Sequence, residues 1–358
     1  MERKRQVYSM EERLYHLWLG MVPEISNAVF ARAIDFFGGA KELWEADEDE
    51  LKAVFTEKQM NILISSRASA KVKELERELE KKNIKYTFPG RPDYPVRLLD
   101  IPDRPNLLFY RGNIQELNKR AVKNLAVVGS RKASSYGLTA TYNVIKGLQG
   151  YELNIISGLA YGIDVKAHLT ALDKVYPESN RSVYERMIEN GVIISEYAPG
   201  IPPLSWHFPV RNRIISGLSD GVLLIEAKEK SGSLITADQA LEQGREVFAI
   251  PGRISDATSA GCNMLIRQGA VCITKAEDIA SELMLNSDKS IKKKHLSKIP
   301  LAPMEKIVYS CVRLESKHID DICRESGVST SEVLSVLFEL KRKNLIWEPV
   351  RNYFVRNT

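Results

Sequence analysis

The chain has 358 residues, 44% of them apolar and 27% charged, with a net charge of +5 at pH 7. That length suits two or three domains and that balance suits a soluble globular protein, while no apolar run approaches the roughly eighteen residues of a membrane span. The mild positive charge permits an acidic partner such as nucleic acid without demanding one. Four cysteines, Cys262, Cys272, Cys311 and Cys323, lie far apart with no C-x-x-C spacing. This argues against a zinc site and predicts four buried, reduced thiols in a cytoplasmic protein. The charged start MERKRQVYSMEERL has none of the apolar core of a secretory signal.

In chain order, residues 1–83 carry apolar side chains at helical spacing in LYHLWLGMVP, VFARAIDFFGG, ELWEADEDELKAVF and QMNILISS. Short Gly/Pro turns separate them, which predicts a small helical domain of SAM or helix-hairpin-helix type. A proline-rich connector, FPGRPDYPVRLLDIPDRPNLLFYRG, follows and is read as extended and stiff. It opens the segment 84–286, which alternates strand-like runs with amphipathic stretches. The runs are LAVVGS, NIISGLA, GVIISEY, GVLLIEA, EVFAIPG and AVCIT. Continuous aliphatic runs of this kind belong to parallel strands buried on both faces. The predicted fold is therefore α/β, a doubly wound Rossmann-like parallel sheet whose ligands collect at the carboxyl ends of its strands. A basic linker, 287–300, leads to a tail, 301–358. There three helices and a hairpin, IWEPVRNYFVR, spell a winged helix, a module that binds DNA in some proteins and protein in others.

Chemistry-bearing residues cluster after the strand-like runs. The first ends in Gly129, Ser130 and Arg131 before a helix start near Tyr136 and Gly137. Backbone N–H groups there form an anion pocket to which an arginine adds a bidentate clamp. Neither G-x-G-x-x-G nor G-x-x-x-x-G-K-[ST] is present, which disfavours NAD and ATP, and no cofactor or metal is expected. The second run ends in Ser157, Gly158 and the turn to Gly162, with Asp164 as a first-turn acid and His168 as a packed, hydrogen-bonded histidine. Further on, Ser231, Gly232 and Ser233 open a helix in the manner of an oxyanion cradle or of ordinary N-capping. Arg211, Asn212 and Arg213 precede the run GVLLIEA. They hold an anion, or pair with Asp220 or Glu226. In a helical turn the two arginines diverge, leaving one for the anion and one for the protein. Three anion-friendly turns on one sheet edge favour a phosphate site.

The strings VVGSR, SGLAYGID, YPESN, HFPVRNRIISGLSDGVLLIEAKEKSGSLITA, GREVFAIPG and GCNMLIRQGA resemble the DNA-processing protein A (DprA/Smf) family across nearly the whole middle segment and in order. The resemblance implies a non-enzymatic protein that binds and protects single-stranded DNA, loads the RecA recombinase in natural transformation, and forms a homodimer through its sheet domain. It carries Arg131, Arg211, Asn212 and Arg213 over as phosphate-pocket positions, with Ser231, Gly232 and Ser233 in the matching loop. Exposed faces for base stacking are sought at Tyr136, Tyr161, Tyr197, Trp206 and Phe208. One departure stands out: the family has a further strand and Gly-rich turn before YP-x-x-N, whereas here AHLTALD runs straight into KVYPESN. Two helices would meet without a strand, against the alternation of a parallel sheet. The chain as written is therefore expected to close over a missing segment between Asp173 and Lys174, and a true deletion would alter the pocket near Asn180.

A second, more distant likeness joins RNRIISGLSDGVLLIEAKEKSGSLITAD to the nucleoside-monophosphate phosphoribohydrolases. Those enzymes place P-G-G-x-G-T-x-x-E after the equivalent strand. Here the paired glycines and the glutamate are missing, and Asp238 is the acid left on the following helix. Glycosidic hydrolysis needs a positioned carboxylate, so this enzyme reading is the alternative.

Overall fold

The computed structural model describes residues 10–69, 71–171, 185, 187–201, 204–286, 301–313, 316–343 and 345–356. Asp173, Lys174, Asn180 and the linker 287–300 lie outside the described residues. In chain order the elements are α1 (Met10–Leu19), α2 (Asn27–Phe37), α3 (Ala40–Glu45), α4 (Glu48–Leu51), α5 (Glu57–Ser69), α6 (Val72–Lys81), β1 (Lys85–Thr87) and β2 (Leu108–Gly112). Then come β3 (Lys123–Val128), α7 (Ser135–Gly147), β4 (Leu153–Ile156), α8 (Ile163–Ala171), β5 (Val192–Ser195), α9 (His207–Gly217), β6 (Gly221–Leu224), α10 (Gly232–Glu242), β7 (Glu246–Ala249), α11 (Ala260–Arg267), β8 (Val271–Cys272) and α12 (Ala276–Glu282). The tail supplies α13 (Pro303–Cys311), β9 (Lys317–His318), α14 (Ile319–Ser326), α15 (Thr330–Arg342), β10 (Ile346–Val350) and β11 (Tyr353–Arg356). They form two compact units, Met1–Arg120 with Glu178–Leu218, and Ala121–Pro177 with Ser219–Thr358.

In the first unit the helical periodicity of the N-terminus holds. Ser26 caps α2 by accepting from Val29 N, and α2 ends at Gly38 in the left-handed conformation. Asp47 and Glu50 close a reciprocal capping box on α4, satisfying backbone donors that a helix start leaves open. The helices enclose Trp18, Phe30, Leu43, Leu51 and Leu63.

Two sequence readings change here. The proline-rich connector is not merely extended, because it contributes β1 and β2 to a three-stranded antiparallel sheet of order β1-β2-β5. The run GVIISEY, expected in the parallel sheet, is β5 of this sheet and pairs antiparallel with β2, Tyr110 opposite Ile194. A four-residue apolar run announces burial but not its partner or direction. The pairing needs close backbones: a Cβ at Gly112 would lie 2.2 Å from the carbonyl oxygen of Gly191.

The second unit holds the parallel sheet, in the order β4-β3-β6-β7-β8. Numbered along the chain, its strands lie 2-1-3-4-5, the flavodoxin-like doubly wound order. Strands β3 and β6 are neighbours in register, Val128 beside Leu224. Helices cover both faces, so Leu125, Val127, Leu223 and Phe248 are fully buried, which explains their unbroken apolar runs. Strand β8 is at the edge, and there Cys272 is exposed while Cys323 is half-buried; only Cys262 and Cys311 are the buried thiols foreseen. Burial pushes the Cys262 thiol up to about 12.

The tail is a winged helix, with α13, α14 and α15 packed over Val308, Ile322, Val333, Leu337 and Phe354 and a β10-β11-β9 sheet. Trp347 of β10 stacks on Tyr142 of α7 at 4.7 Å between centroids. The Lys166 ammonium lies 4.1 Å from the Trp347 ring, and its burial brings the Lys166 pKa down to about 8. Among the described residues no helix is long and apolar enough to cross a membrane.

Candidate nucleic-acid interface

The switch point of a 2-1-3-4-5 sheet lies between its first and third strands, where the flanking loops part and leave a crevice. Here that is the carboxyl edge between β3 and β6. The turn after β3 carries Gly129, Ser130 and Arg131, and the loop after β6 carries Lys228 to Ser233. Hydrogen bonding between the strands continues past their ends, Ile225 N donating to Val128 O at 3.2 Å.

The turn after β4 closes on the turn after β3. Ile163 N donates to Ser130 O at 3.3 Å. Gly162 has φ +85°, and a Cβ there would lie 2.2 Å from Ser130 O, so this position needs glycine for both conformation and space. Asp164, buried in the first turn of α8, accepts from Gly158 N at 3.0 Å. Ser157 Oγ accepts from Leu159 N at 3.1 Å. The structure thus brings Ser157, Gly158, Ser130 and Arg131 together as two interlocked turns. His168 is packed as foreseen, but its Nε2 finds no hydrogen-bond partner among the described residues. Its burial holds it neutral down to about 4.

Ser231 is the N-cap of α10 and accepts from Ser233 N, while the two hydroxyls meet at 2.7 Å. Ordinary capping therefore describes Ser231, Gly232 and Ser233 locally. Exposed cations line the same edge: Arg131 and Lys132 after β3, Lys228 and Lys230 after β6, and Arg253 after β7. Tyr136 and Tyr161 expose their rings, and the Tyr136 hydroxyl donates to Pro251 O at 2.6 Å. Among the described residues no cluster of His, Cys, Asp or Glu is arranged to hold a metal.

In the first unit, Arg211, Asn212 and Arg213 lie on α9, a helical turn on which the two arginines diverge. Arg213 is buried, and its guanidinium meets Glu196 in a fork, Nη2 to Oε2 at 2.6 Å and Nη1 to Oε1 at 2.9 Å. Its Nε reaches Asp103 Oδ2 at 3.1 Å and Asp103 O at 2.8 Å. Two protein carboxylates thus already neutralise Arg213, and a phosphate at the position foreseen for it would have to displace them. Asp220 accepts from Asn124 N at 2.8 Å. Arg211 is half-buried and borders a cavity of about 440 Å³ together with Arg111, Tyr197, His207 and Phe208. Trp206 is exposed, whereas Tyr197 and Phe208 are half-buried.

The sequence offers Glu226 only as an ion-pair partner for the arginines, and its place at the switch point is not foreseen. Glu226, two residues after β6, is only 1% exposed. Ser134, the N-cap of α7, donates to it through both Oγ and its backbone N, the latter at 2.9 Å. A carboxylate placed immediately after a wholly apolar run was the signal available.

Comparison with known proteins agrees with this architecture. Residues 85–284 match the family described as DNA recombination-mediator protein A. DNA processing protein DprA of Streptococcus pneumoniae is 46% identical over 203 residues, covering 53% of this chain and 71% of that protein. Protein Smf of Synechocystis sp. is 29% identical, with 96% of this chain and 98% of that protein covered. The X-ray structure of the S. pneumoniae protein superposes with a TM-score of 0.65 at 34% identity, covering 77% of this chain and 99% of that one. The DNA processing protein A structure from Helicobacter pylori, described for its single-stranded DNA binding mode, gives a TM-score of 0.50 at 28% identity, covering 56% and 96%. On the match over residues 85–284 and a 46% identical relative, the chain belongs to the DNA recombination-mediator protein A family.

Proposed function

We propose that this protein binds single-stranded DNA along the carboxyl edge of its parallel sheet and serves DNA recombination by loading a RecA-type recombinase. The observation that carries the reading is the switch point between β3 and β6, bordered by exposed Arg131, Lys132, Lys228 and Lys230 and by the open rings of Tyr136 and Tyr161. Cations that follow a phosphate backbone and aromatic faces that accept any base are what sequence-tolerant binding requires. Gly129, Ser130, Ser157, Gly158, Ser231, Gly232 and Ser233 shape the turns, and Arg131 is the principal clamp. The H. pylori relative, described as a single-stranded DNA binder, supports this reading. Protection of incoming strands, homodimerisation through the sheet domain and a cytoplasmic location complete it.

The role is non-enzymatic. A ribosyl hydrolase would need a carboxylate aimed at substrate, but Glu226 is buried on Ser134 and Asp238 stands exposed on α10. Filter binding of several unrelated single strands to the wild-type protein and Arg131→Ala tests the reading. A parallel loss for every sequence is expected, and unchanged affinity overturns it. Release of free adenine from AMP would instead favour the hydrolase.

A further inference from the structure

We infer that Glu226 is a built-in occupant of the anion site at the head of α7, so that the sheet domain excludes free phosphate and mononucleotides. In a doubly wound sheet the first crossover helix points its amino end at the switch point, where bound phosphates settle on open N–H groups and the positive end of the helix dipole. Here a protein carboxylate already holds that place. Ser134 N donates to Glu226 Oε2 at 2.9 Å, and Ser134 Oγ donates to Oε1. The same hydroxyl accepts from Gly137 N at 3.1 Å, passing the helix's donors on to the carboxylate.

The first turn of α7 is shaped around this group. A Cβ on Gly137 would fall 2.4 Å from both Cδ and Oε2 of Glu226, so the carboxylate lies flat against a bare Cα and a side chain there would expel it. On the strand side, Gly129 packs within reach of Glu226 O, where a Cβ would stand at 3.1 Å. The carboxylate is therefore gripped by the first turn of α7 while its backbone is held against Gly129, and the residue is closed to solvent.

Two consequences follow. The amino end of α7 is neutralised from within, and an incoming phosphomonoester would meet the volume and charge of a carboxylate at its preferred seat. Anion binding at this edge is left to side-chain cations on the rim, which suit a phosphodiester running past rather than a terminal phosphate plugged in. Glu226 is in this sense a specificity-determining residue that separates a strand binder from a nucleotide binder on the same sheet. The inference stands on this geometry alone and does not need the DNA-binding reading to be correct.

The test titrates wild-type protein, Glu226→Ala and Glu226→Gln with formate, inorganic phosphate and AMP. Melting temperature and the backbone amide resonances of Ser134 and Gly137 are followed. The wild type is expected to show no response at those amides. Glu226→Ala, which vacates the seat, is expected to bind formate and phosphate about tenfold more tightly than wild type, with a rise in melting temperature. Glu226→Gln, which fills the seat, is expected to stay unresponsive. Wild-type amides of Ser134 and Gly137 that shift with phosphate or AMP would overturn the inference, and this arm decides even where Glu226→Ala does not fold. A folded Glu226→Ala no more responsive than Glu226→Gln would overturn it as well. Single-stranded DNA retention by the same wild-type sample separates the two readings: its absence removes the proposed function and leaves the occupied anion site standing.

Discussion

Replacing Arg213 by alanine separates a structural cation from a binding one. The Arg213 side chain is 7% exposed and that of Glu196 is 5% exposed, so the substitution leaves a buried carboxylate without its cation. Among the described residues Glu196 keeps the Asn27 amide, Nδ2 donating to Oε2 at 3.1 Å. Asn27 itself accepts twice from Asn106, from N at 3.0 Å and from Nδ2 at 2.7 Å, so the loss spreads through α2, the end of β5 and α9. Breaking a buried ion pair by removing one partner costs about 3–5 kcal/mol. With a urea m-value of about 2 kcal/mol/M, the transition of the first unit should move down by roughly 2 M. Arg213→Met with Glu196→Leu should recover much of this, because an apolar pair of similar volume carries no desolvation penalty. Fluorescence-monitored urea unfolding of the single and double variants reads the effect. An Arg213→Ala transition within about 0.5 M of wild type, accompanied by a loss of DNA affinity as large as that of Arg131→Ala, would refute the structural assignment.

Three further outcomes are expected. Arg131→Ala should weaken single-stranded DNA binding equally for all sequences and flatten the salt dependence by about one phosphate contact; a salt titration with unchanged slope would contradict the clamp. His168 stays neutral in the folded state down to about 4, against 6.5 when unfolded, so above 6.5 it contributes no pH dependence, whereas between 6.5 and 4 only the unfolded chain takes its proton. Stability is therefore lost as pH falls through that window, by up to about 3 kcal/mol, and His168→Leu should reduce the drop between pH 7 and pH 4.5; an identical drop would contradict this. Trp347→Ala removes the stack on Tyr142 and the ring over Lys166, which should cost about 3–5 kcal/mol and hasten proteolytic release of the winged helix; unchanged cleavage would show that the contact does not hold it.

Elements whose burial is local were legible in the sequence. Helical spacing marked α1 through α5, and unbroken aliphatic runs marked β3, β6 and β7, since strands covered on both faces admit no polar residue. The Gly-turn between α14 and α15 announced the winged helix, whose Gly327 adopts the left-handed conformation. Pairings decided at long range were not legible. Val192–Ser195 reads like any core strand, yet its partner is β2, in the segment taken for a connector. Spacing alone separated Arg211 from Arg213 once α9 was helical, but Glu196 and Asp103 as the receiving carboxylates lie outside any local pattern. The role of Glu226 is illegible for a similar reason: it depends on a serine brought beside it by the β3–β6 pairing.

The most direct test of strand binding compares single- and double-stranded DNA of one length across a salt series, by fluorescence anisotropy with the wild-type protein. Single strands should bind more tightly at every salt concentration, with a log–log slope of roughly −0.7 per phosphate contacted. Equal or tighter binding of the duplex, or an affinity indifferent to salt, would contradict a rim of cations and aromatic faces built to follow a single strand.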